Sequence, residues 1–93
     1  AYNHFFDLCA AVQGKEASLD AMAVELVAAT DPDDASRIRT NIAGVTAARS
    51  RTILQYNADA RKDYTIGQFR DSGLPYQLVE REHVKGGRTS CGI

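Results

Sequence analysis

Cys9 and Cys91 stand near opposite ends of the chain, with His4 and His83 a few residues from them. These four side chains hold the most reactive chemistry in the sequence, and three arrangements would use it: a metal centre, a Cys–His nucleophile or a disulfide. Structural zinc sites gather their ligands in close pairs. The chain has no C-x-x-C and no H-x-x-x-H, so neither a metal nor another cofactor is expected. A Cys–His nucleophile needs an oriented base and an oxyanion site. No motif supplies either, and the expectation is a protein that is not an enzyme.

A disulfide needs only that the two ends meet. A Cys9–Cys91 bridge closes a loop of about 80 residues, which the chain-entropy account values at roughly 4 kcal/mol. That is near the whole stability of a marginal domain. Two free buried thiols are the competing reading. The disulfide is taken here, and with it an oxidising compartment, since such bonds persist outside the reducing cytosol. The first residue is Ala1 rather than Met, and Ile93 follows Cys91 closely. Both features suggest a secreted protein processed from a precursor.

Other candidates have plainer readings. Lys85, Gly86, Gly87 and Arg88 could offer backbone N–H groups to an anion, but a tight turn accounts for two adjacent glycines. Glu80 and Glu82 fall on one face of an extended segment, as solvated edge charges do. Tyr64, Phe69, Arg70 and Tyr76 interleave aromatics with a base, yet without an RNP-like pattern they read as core, and no nucleic-acid partner is expected. There is no N-x-[ST] sequon.

The elements that position these residues follow from periodicity. Phe5, Leu8, Cys9 and Val12 recur at spacings of three and four, which predicts a short helix over residues 2–13 closed by Gly14. Residues 18–30 predict a second helix started by Ser18 and apolar on most sides, with a buried strand over residues 23–27 as the competing assignment. "DPDDAS" marks a third start. Asp31 is the cap, Pro32 takes the first helical position, and Asp33 and Asp34 face the positive end of the dipole. This helix is expected to cover about residues 32–60, with Ile38, Ile42, Val45, Ile53, Tyr56 and Ala60 on one face.

Arg49 falls in the middle of that apolar face. A buried guanidinium without a partner is very costly. It therefore pairs with a carboxylate, reaches solvent by its stem, or faces a partner. Glu25 and Asp7 are the carboxylates favoured for the pair.

Beyond the helix the period changes to two. Residues 63–70 and 74–84 read as strands, separated by a turn at residues 71–73, and residues 89–93 as a strand returning from a hairpin turn at Lys85–Arg88. Residues 1–6 are a further strand candidate. The expected fold is α+β, with two or three N-terminal helices packed on a small antiparallel C-terminal sheet, forming one domain over residues 1–93.

Composition bounds the function. Of the 93 residues 44% are hydrophobic and 25% charged, the balance of a soluble globule, and no apolar run reaches a membrane span. Residues 1–34 carry one base and seven acids, and residues 35–93 ten bases and five acids. With no basic tract, the two parts are expected to face each other in the fold. The resulting expectation is a small secreted, disulfide-stapled binding protein of killer-toxin, antimicrobial or effector type. Its target would be a protein or a cell surface, and a second chain from the same precursor is a further candidate partner. The alternative is an intracellular interaction module or assembly subunit that docks, or forms an oligomer, through helix 32–60.

Overall fold

The computed structural model describes residues 3–63, 75 and 77–91. Two helices form an antiparallel hairpin: α1 spans Asn3–Ala28 and α2 spans Pro32–Asp63. The 32 residues of α2 set the long axis of a body measuring 54 × 21 × 20 Å, since a helix of that length runs about 48 Å. Asp31 starts α2 as its sequence implies. Its Oδ1 accepts the N–H of Asp33 at 2.9 Å, and its carbonyl accepts the N–H of Ala35 at 3.0 Å.

The first two predicted helices are one. Gly14 does not stop α1, because Cys9, Val12, Glu16 and Leu19 carry the inward face straight across it. The roughly 1 kcal/mol that glycine loses against alanine is small beside that packing. Ser18 is an interior helix residue, and the strand readings of residues 23–27 and of residues 3–6 give way to helix.

Among the described residues the expected antiparallel sheet is not formed and no strand occurs; the α+β assignment is replaced by a helical hairpin. Residues 77–91 instead form an extended strap laid over the two helices. Their alternating pattern is real, but helix side chains take the backbone groups a sheet would use. Asn57 stands in for a neighbouring strand. Its Oδ1 accepts the Leu78 N–H at 2.7 Å and its Nδ2 donates to the Leu78 carbonyl at 3.0 Å. The predicted turn at the glycines is present, with Gly87 N–H donating to the Val84 carbonyl at 2.8 Å and Gly86 at φ 82°. It reverses the strap without pairing its limbs. Of the strand predicted over residues 63–70, Asp63 instead ends α2, and residues 64–70 with the turn at residues 71–73 lie outside the described residues.

The core sits at the open end of the hairpin, where the start of α1 meets the end of α2. Phe5, Cys9, Val12, Ile53, Tyr56 and Ala60 are buried there, and the strap closes the cluster with Leu78. Phe5 meets Tyr56 edge to face, with ring centroids 5.4 Å apart. Tyr56 turns its hydroxyl out of this apolar cluster and donates it to the Pro75 carbonyl at 2.7 Å. Burial pushes its pKa up to about 12.

Candidate functional site

The strap is fastened to both helices. Its first limb, residues 77–84, follows α2. Leu78 is held by Asn57, Glu80 accepts the Ser50 hydroxyl, and the Arg81 carbonyl accepts Nη1 of Arg49 at 2.9 Å. Its second limb, residues 87–91, follows α1 back toward the core. Thr89 bonds to Glu16, Gln13 donates to the Thr89 carbonyl at 2.8 Å, and Cys91 is disulfide-bonded to Cys9 with their Cα atoms 5.9 Å apart.

Asp20 anchors the turn between the limbs. Its carboxylate meets His83 Nε2 at 2.8 Å and Arg88 Nη1 at 2.7 Å, and accepts the Gly86 N–H at 3.2 Å. The bond from Arg88, then that from His83, and then the Gly86 amide hold its carboxyl down at about 2.

Between the limbs lies a cleft of about 400 Å³ whose floor is an ion pair. Arg49 Nε donates to Glu16 Oε2 at 2.9 Å, with only 5% of Arg49 and 1% of Glu16 exposed. Thr89 donates its N–H to Glu16 Oε1 at 2.7 Å and its hydroxyl to Oε2 at 2.8 Å. Burial alone would raise the Glu16 pKa. The two Thr89 hydrogen bonds, with Arg49, outweigh it and hold the carboxyl below its ordinary value. Pro75, Leu78, Val79 and Val84 give the cleft apolar walls, and Arg81, Glu82, His83 and Arg88 line it as well.

Arg49 thus has its carboxylate, and it is Glu16, a residue the sequence reading passed over. Glu25 and Asp7 both remain exposed and belong to no described ion pair. The missed signal was spacing: Glu16 continues the 9–12–16–19 face of α1, a second charge on an apolar stripe. Placing a helix end at Gly14 hid it.

The remaining candidates are spread out. His4 lies in the first turn of α1, where its Nε2 meets Asp59 Oδ2 at 2.7 Å, and His83 is committed to Asp20. Among the described residues no three His, Cys, Asp or Glu side chains are grouped to hold a metal ion. No described helix is long and apolar enough to cross a membrane. The acidic and basic parts of the sequence do meet, since Glu16 and Asp20 of α1 bind Arg49 and Arg88. Set against family models, curated proteins and solved structures, the chain matches none.

Proposed function

We propose that the chain is a small secreted binding protein of the toxin, antimicrobial or effector type, acting by recognition rather than catalysis. The observation that carries this reading is the Cys9–Cys91 bond, which makes a covalent unit of the strap and α1. Such a bond suits an oxidising compartment, and it fixes the recognition surface of a chain too short to hold a large core. The cleft between the limbs of the strap supports binding: apolar walls over a few fixed polar groups are the usual make-up of a recognition site.

The alternative, docking or oligomerisation through helix 32–60, draws support from Leu54, which is 54% exposed on α2. Targeted mass spectrometry of the Cys9 and Cys91 peptides, in culture medium and in cell lysate of the native source, tests the choice. Oxidised peptide concentrated in the medium supports the secreted reading. Reduced peptide confined to the lysate overturns it in favour of the intracellular module.

A further inference from the structure

The floor of the cleft carries one hydrogen-bond donor that the fold does not use. Arg49 spends Nε on Glu16 and Nη1 on the Arg81 carbonyl, and its Nη2 has no partner among the described residues. Yet no described side-chain nitrogen or oxygen is both sealed from solvent and unbonded. Nη2 therefore lies open, although Arg49 as a whole is only 5% exposed. The opening is the cleft of about 400 Å³, whose lining includes Arg49. Glu16 does not wholly cancel the guanidinium charge, since its oxygens also serve two donors of Thr89.

The surroundings narrow what Nη2 would hold. Arg49, Arg81 and Arg88 line the cleft against Glu16 and Glu82, and Asp20 lies beside Arg88. That balance matches one added negative charge and disfavours two. A hydrogen bond from arginine to a carboxylate is charge-assisted, and roughly twice as strong as one between neutral groups. Val79 and Val84 also line the cleft, yet they are 60% and 72% exposed. They are apolar surface that a ligand with a hydrocarbon body would take out of water. The volume suits a small molecule, since ligand pockets hold about 300–1,000 Å³.

We infer that the cleft binds a small monocarboxylate with an apolar body, its carboxylate on Nη2 of Arg49 and its hydrocarbon part against Val79 and Val84. Glu16 and the Arg81 carbonyl fix the guanidinium before a ligand arrives, so little ordering is left to offset the gain on binding. The apolar walls supply affinity and the buried cation selects the charged end. The inference rests on the binding-protein reading and names one class of ligand for it. Its test is independent of where the protein resides.

The test is a titration of the oxidised, ¹⁵N-labelled full chain with octanoate, followed by amide chemical shifts. Saturable shifts are expected within residues 78–84 and 87–90. Octanamide has the same shape without the charge and is expected to bind about fivefold more weakly. Acetate keeps the carboxylate, lacks the chain, and should lose more than about tenfold. Val84→Asp, at an exposed position, sets a like charge on the wall and should weaken octanoate by about fivefold, with thermal melting showing the fold intact. Shifts that do not saturate, equal binding of octanoate and octanamide, or unchanged affinity in folded Val84→Asp would each overturn the inference. Shifts centred on Val24 and Val27, the exposed valines of α1, would do the same. None of these outcomes would bear on secretion, which the cysteine peptides decide.

Discussion

Glu16 and Arg49 join both helices to both limbs of the strap. Their 2.9 Å contact is buried, and each partner also reaches a different limb, Glu16 through Thr89 and Arg49 through the Arg81 carbonyl. The pair therefore does more than neutralise two charges. It sets where the strap lies and so shapes the cleft.

Removing one partner leaves a buried charge without compensation. Arg49→Met is expected to destabilise the fold by about 3–5 kcal/mol. Glu16→Leu combined with Arg49→Met recovers part of that loss, because no orphan charge remains, though the Thr89 donors stay unpaired. Urea unfolding of the single and double variants measures the coupling. Near-zero loss in Arg49→Met would mean that the guanidinium reaches water.

Asn57 holds the first limb as a strand neighbour would. Asn57→Leu strands both backbone groups of Leu78 and is expected to cost about 1–3 kcal/mol. Exchange of the residue 78–81 amides should accelerate while the centre of α2 stays protected. Loss of protection throughout α2 would show that the strap and hairpin unfold as one unit.

The acid limit of stability follows from Asp20 and Glu16, whose pKa values are depressed in the folded state. A depressed carboxyl stabilises the fold above its unfolded value, near 4, and that stability drains away as pH falls through the folded value. For Asp20 the window runs from about pH 4 down to about 2. Asp20→Asn should flatten the stability profile in that range, by thermal melts at stepped pH. An unchanged acid slope would contradict the role of Asp20 as the anchor of the turn.

The parts of this architecture that were readable are those settled locally. Asp31 and Pro32 announce the start of α2 with side chains that act within one turn. Cys9 and Cys91 could be joined on paper because only two cysteines exist. The sheet was misread because alternation records that a segment is extended and lies on a surface, and residues 77–91 satisfy both without pairing. What decides between strand and strap is Asn57, a residue far away in sequence that completes the hydrogen bonds of Leu78. Glu16 was missed for a similar reason: its meaning depends on α1 passing through Gly14, which packing along the whole hairpin determines.

The most direct test of the account is the state of the two thiols in the chain as its native source makes it. Unfold the protein without reductant, add an alkylating reagent, and read the intact mass. A tie between Cys9 and Cys91 predicts no added alkyl group, and two only after reduction. Two additions before reduction would leave the second limb without its covalent anchor, and the secreted reading without its support.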